Sequence, residues 1–138
     1  MATSYRHPIM DIIGHEVHQV RFAAGGSAAR LIFLSGDNQL SEIAIVGMVK
    51  LVRGADETLL KGALMGKHFN PRELAPLLNL LTGTVTDIAA TECENDDGSL
   101  EPALSISFSN RQTLVIGGDT MGNEGWSFRH GKGVVKVI

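Results

Sequence analysis

A diverged internal repeat is the strongest constraint on what this chain can fold into. His7-Pro8-Ile9-Met10-Asp11-Ile12-Ile13-Gly14 resembles Ala75-Pro76-Leu77-Leu78-Asn79-Leu80-Leu81-Thr82-Gly83 when the prolines are aligned. The apolar positions 9, 10, 12 and 13 then match 77, 78, 80 and 81, and Asp11 matches its amide Asn79. At the same offset Val17 matches Val85 and Val20 matches Ile88, while the glycine is displaced by one position. Further on, Phe33 parallels Phe108, and Ile43-Ala44-Ile45-Val46-Gly47 parallels Leu114-Val115-Ile116-Gly117-Gly118. Val49-Lys50-Leu51 then parallels Trp126-Ser127-Phe128. A period of about 70 residues is too long for a solenoid unit and predicts two related halves instead. These run approximately over 8–69 and 76–138, and such halves are expected to pack pseudo-symmetrically within one domain.

Each half reads the same way. A short apolar turn or helix opens with proline, which suits a first helical position, and closes at glycine, which accepts the left-handed conformation of a helix stop. Strands follow. In the first half they are expected over 16–23, 28–34 and 39–46, with Leu51-Val52 in a fourth. In the second half they are expected over about 84–93, 103–108, 112–117, 125–129 and 133–137. Leu104, Ile106 and Phe108 alternate with Ser105, Ser107 and Ser109, the period-two mark of a half-buried strand. The alternation over 16–23 is imperfect. Between the halves, Asn70-Pro71-Arg72-Glu73 has the form of an N-cap with Pro at the first helical position. Pro76 forbids one continuous helix, so a one-turn start and a short helix over about 76–82 are expected. Residues 58–66 are read as a strand by analogy with 133–137. The fold class is therefore α+β, mostly antiparallel β, as two pseudo-symmetric β-meander halves with one or two short helices.

Composition narrows the function classes. The chain has 138 residues, 43% of them hydrophobic, a formal charge of -3 and a single cysteine. That apolar fraction is normal for a globular domain. One cysteine excludes a disulfide scaffold or an all-cysteine metal site. Mild acidity argues against direct nucleic-acid binding, which wants a basic face. The longest apolar runs are short, as in Leu31–Leu34 and Ile43–Val46, so no membrane span or signal peptide is read and a cytoplasmic location is expected.

The charge is unevenly spread. From Glu73 through Asn110 there is no Lys, Arg or His, and the segment carries seven acids: Glu73, Asp87, Glu92, Glu94, Asp96, Asp97 and Glu101. The remainder holds 12 basic and 8 acidic residues, so -7 in one segment is set against +4 elsewhere. Five of the acids, Glu92, Glu94, Asp96, Asp97 and Glu101, surround one turn. They read either as a solvated hairpin or as a docking patch for a basic partner, which would speed association and fix orientation.

Catalytic and metal signatures fall short. His15-Glu16-Val17-His18 spaces its histidines by three, not four, and on a strand those two would point to opposite faces. Asn95-Asp96-Asp97-Gly98 lacks the ligand spacing of a calcium loop. Gly62 to His68 and Gly125 to Gly133 fail the phosphate-loop spacing and lack its hydroxyl. No Gly-x-Ser-x-Gly elbow occurs. Cys93 lies between Glu92 and Glu94, whose charge disfavours a thiolate nucleophile. Trp126, the single tryptophan, shares a strand face with Phe128 and reads as a core anchor, with a binding-surface role as the alternative.

The run from Leu104 through Phe108 to Ile116, then Glu124-Gly125-Trp126-Ser127-Phe128, resembles a pattern in small bacterial proteins that look like immunity proteins of toxin loci. The early Gly14-His15-Glu16-Val17 is similar as well. The resemblance spans about half the chain. It implies a non-catalytic module, with no cofactor, that neutralises a cognate protein toxin, such as a basic nuclease, by occlusion. The acidic segment agrees with that implication. A self-associating structural β protein, pairing through exposed strand edges as a homodimer, is the alternative reading. A small metal-dependent hydrolase using His15 and His18 is the third.

Overall fold

The computed structural model describes residues 8–22, 29–63, 71–94, 98–117 and 126–130. They form nine strands and a few short helical turns. A 3-10 turn over Pro8–Ile12 leads into β1 (Glu16–Phe22), β2 (Ala29–Leu34), β3 (Leu40–Ile45), β4 (Met48–Arg53) and β5 (Glu57–Ala63). One helical turn, α1 (Pro71–Leu74), runs into a 3-10 segment (Ala75–Leu80). Then come β6 (Val85–Glu94), β7 (Leu100–Phe108), β8 (Gln112–Gly117) and β9 (Trp126–His130). Every strand pairing is antiparallel.

The helical link follows the two prolines. Pro71 starts one α-turn, Pro76 denies it a continuing hydrogen-bond donor, and the chain tightens into 3-10 geometry. The expected helix over 76–82 is thus a 3-10 segment ending at Leu80. The strand expected over 58–66 is β5, with 64–66 outside the described residues. The strand expected over 133–137 and the cap at Asn70 also lie outside them.

The strands form two sheets, a four-stranded one in the order β1-β2-β3-β9 and a five-stranded one in the order β5-β4-β8-β7-β6. Each half supplies a three-stranded meander, β1-β2-β3 or β6-β7-β8. Each meander is then extended by a strand from the other half: β9 pairs with β3, and β4 pairs with β8. This exchange was not visible in the sequence.

The register repeats as well. Val17 lies opposite Phe33, and Val85 opposite Phe108. Leu31 lies opposite Ile43 and Ile43 opposite Phe128; in the other sheet Ile106 lies opposite Leu114 and Leu114 opposite Leu51. Ile45 pairs with Trp126 as Ile116 pairs with Val49. Both first strands carry an irregularity at the same place, between Val17 and Gln19 in β1 and between Val85 and Asp87 in β6. A bulge lets two residues oppose one, so apolar positions three apart reach the same side. That is why Val17 and Val20, or Val85 and Ile88, face inward although they are not two apart, and why the alternation over β1 looks imperfect in sequence.

The sheets meet where β1 and β6 begin. Glu16 and Thr84 form an isolated antiparallel bridge. Around it the Gly14 amide donates to the Val85 carbonyl at 2.8 Å, and the Thr82 amide to the Val17 carbonyl at 3.0 Å. The Val85 amide donates to His15 and the Val17 amide to Gly83, each at 2.9 Å.

One core fills the space between the sheets. Leu31, Phe33, Ile43 and Ile45 contribute from the first sheet, and Val49, Leu51, Leu104, Ile106, Leu114 and Ile116 from the second. Ile9, Ile12, Leu77 and Leu80 from the two 3-10 turns are fully buried in it. Fully burying each such side chain contributes about 1.5–3 kcal/mol relative to leaving it exposed. Trp126 is buried there too, as a core anchor.

The displaced glycine has a structural reason that differs from the expected one. The left-handed position after the first turn is Gly14 (φ 93°), and its counterpart 68 positions on is Thr82 (φ 68°), not Gly83. Gly83 sits where space is tight: a Cβ there would lie 3.1 Å from the Leu80 carbonyl oxygen and 3.2 Å from the Asn110 amide nitrogen.

The acidic hairpin as candidate functional site

The acidic residues are carried by the β6–β7 hairpin. Within it Glu92 faces Pro102, Cys93 faces Glu101 and Glu94 faces Leu100. Among the described residues the β7–β8 pairing covers Ala103–Ser107, and no described strand lies beside the ribbon of Glu92–Glu94 and Leu100–Pro102. Ala89, Ala90, Thr91 and Glu92 are all exposed in succession. On a strand, consecutive residues point to opposite faces, so both faces of β6 are in solvent over those four residues. This end of the hairpin is the acidic arm.

Of the five acids singled out in the sequence, Glu92 and Glu94 are exposed on this arm. Asp96 and Asp97 lie outside the described residues. Glu101 differs from the others: it is half-buried and turns back over the sheet, where its Oε1 accepts a hydrogen bond from the Cys93 thiol at 3.6 Å. The same oxygen lies 3.2 Å from where a Cβ on Gly117 would be. Gly117 thus makes room for a carboxylate that is already engaged within the chain.

Beside the arm lies an open cavity of about 380 Å³. Lys50 and Lys61 line it from β4 and β5, together with Met48, Val115, Leu100 and the Glu92–Glu94 stretch. The two lysines are directly opposite each other in the β4–β5 pairing. Like charges placed that way repel, so the pair concentrates positive charge beside the arm. The acidic arm therefore has a basic neighbour within its own chain, which the count of acids along the sequence did not reveal. Lysines far away in sequence reach the site only through the β4–β8 exchange.

Cys93 is buried, and burial pushes its thiol pKa up. The negative charge of Glu101 and its hydrogen bond raise it further, while Lys61 pulls it back down. The thiol is thus a poorer nucleophile than an ordinary one, the direction expected from the sequence. The charged cause is Glu101 across the hairpin, not the sequence neighbours Glu92 and Glu94, whose side chains leave on the other face.

Among the described residues no group of three or more His, Cys, Asp or Glu is placed to hold a metal ion. His18 sits in the β1 bulge and is exposed, and His15 precedes the strand. Among the described residues no helix is long and apolar enough to cross a membrane. No protein-family model matches the chain, and no curated protein matches it at a significant level.

Proposed function

We propose that the protein is a non-catalytic protein-binding module of the immunity-protein type, acting in the cytoplasm, whose acidic hairpin docks on a basic cognate toxin and occludes its working surface. The observation that carries this reading is the placement of Glu92 and Glu94. Both are exposed, on the side of the arm away from the buried Cys93, and Asp96 and Asp97 follow them in sequence. An exposed row of charges has little to do for the core and much to offer a partner of opposite charge. Such a surface acts mainly on association rate and orientation. Glu101, held by Cys93, supports the arm and contributes its charge from behind.

The test is kinetic. With the partner recovered by affinity capture from the native cell, association is measured across a salt series for the wild type and for Asp96→Lys/Asp97→Lys and Glu92→Lys/Glu94→Lys. Severalfold slower association for both pairs, converging with the wild type at high salt, is the expected result. Unchanged kinetics would remove the acidic arm from the mechanism.

A further inference from the structure

We infer that β6 accepts a basic β-strand of the partner along its free edge, extending the five-stranded sheet by one strand. This rests on the acidic arm being the contact surface and adds how the contact is made.

The edge is open. β6 is the last strand of its sheet, and among the described residues its outer side is engaged only at its start, by the Glu16–Thr84 bridge and the hydrogen bonds around it. From Asp87 to Glu94 no described strand pairs with that side. Alternate backbone N–H and C=O groups of an edge strand point outward and are a ready template for another strand.

The edge is also unguarded, unlike its neighbour. Sheet edges are commonly blunted by proline or lysine. On the arm, β7 carries Pro102, which has no N–H to offer. The β6 side has no proline, glycine or lysine between Asp87 and Glu94, and its middle residues, Ala89, Ala90 and Thr91, are short. Nothing bulky obstructs an approaching backbone.

Charge selects the occupant. Asp87, Glu92 and Glu94 flank the open stretch, and directly opposed like charges across strands are destabilising while opposite charges stabilise. A second copy of this chain pairing through β6 would set acid against acid. A strand with basic side chains at alternate positions meets complementary charge on both flanks.

The experiment titrates the full chain, observed by NMR, with a blocked alternating arginine–valine hexapeptide. Two control peptides accompany it. One is N-methylated along one backbone edge, which keeps its charge and removes its donors. The other replaces arginine with glutamate. The expected result is slowed amide exchange at alternate positions of Ala89–Glu92 on adding the first peptide. N-methylation, or Glu92→Lys/Glu94→Lys in the protein, should each weaken binding about tenfold or more, equivalent to 1.4 kcal/mol or more. Equal binding of the N-methylated peptide would overturn strand addition and leave the acidic surface standing. Equal binding of the glutamate peptide would overturn both. Slowed exchange at Ala89–Glu92 before any peptide is added would assign the edge to another segment of this chain, or to a second copy if it grows with protein concentration, and would likewise overturn the proposal.

Discussion

Glu16 and Thr84 face each other in an antiparallel bridge, and each occupies the same position in its own half of the chain, 68 residues apart. The four hydrogen bonds around them form two matched pairs under the same offset: Gly14 to Val85 with Thr82 to Val17, and Val17 to Gly83 with Val85 to His15. The two halves therefore meet through identical roles played by different residues, and differences between those residues are direct tests of the local physics.

Thr82 is the clearest of these. It holds a left-handed backbone (φ 68°) where its counterpart is Gly14 (φ 93°). For a side chain branched at Cβ, that conformation costs about 1–2 kcal/mol. Thr82→Gly should stabilise the protein by about 0.5 kcal/mol, because the extra freedom of glycine in the unfolded chain offsets part of the relief. Gly14→Thr should destabilise it by about 1 kcal/mol. Urea midpoints at unchanged slope check both.

Glu42 is 2% exposed on β3, and its Oε2 lies 3.3 Å from Nη1 of Arg30. Its other oxygen, Oε1, is buried and has no hydrogen-bond partner among the described residues. Removing the guanidinium takes away the ion-pair partner of a buried carboxylate and leaves Arg129, directly opposite Glu42 across the β3–β9 pairing, as its cross-strand cation. Arg30→Ala should therefore cost about 2 kcal/mol, below the usual figure for a fully buried pair because the Arg30 side chain is itself 43% exposed. Arg30→Leu/Glu42→Leu should be near neutral or stabilising, and a double-mutant cycle measures the coupling.

Cys93 should alkylate slowly at neutral pH and reach full reactivity only at higher pH than a free thiol, because burial and Glu101 raise its pKa. Glu101→Gln should accelerate the reaction at fixed pH and Lys61→Gln should slow it. Linkage fixes the sign for stability. The unfolded thiol loses its proton first as pH rises, so the protein is destabilised progressively above the ordinary thiol value of 9.0, and the contribution is fully present below it. A stability profile between neutral and strongly alkaline pH, compared with Cys93→Ala, reads this directly.

Because β4 completes the second sheet and β9 the first, neither half buries its own apolar face alone. Residues 1–69 and 70–138, made as separate chains, should each lack a cooperative unfolding transition as monomers. Mixing them should restore one. Circular dichroism and sedimentation of each fragment and of the mixture check this.

Much of the architecture is legible in the residues, and the reasons for the rest are physical. Apolar residues matched in the sequence sit at comparable places in the two sheets: Phe33 faces Val17 and Phe108 faces Val85, while Val49 faces Ile116 and Trp126 faces Ile45. The bulges hid behind a broken alternation, which a Val-x-x-Val read at the same place in both halves would have exposed. The exchange of β4 and β9 leaves no local mark, because a strand's pattern records that one face is buried and not against which partner. The same holds at the acidic arm. Glu92 and Glu94 are visible as charges in a row, but Lys50 and Lys61 join them only through pairing distant in sequence, and Glu101 is withdrawn by a thiol eight residues away. Asp96 and Asp97 lie outside the described residues.

The exchange of strands also sets an order of events during synthesis. β3 leaves the ribosome with an open apolar edge whose partner, β9, is the last described strand of the chain. The first sheet stays unfinished until residues 126–130 have emerged, and pairings this distant are slow to close. In the interval the nascent first half presents the apolar edge of β3 to other chains. Synthesis that stalls before β9 therefore leaves that edge open, and the first sheet gains its fourth strand only when the second half of the fold is already in place.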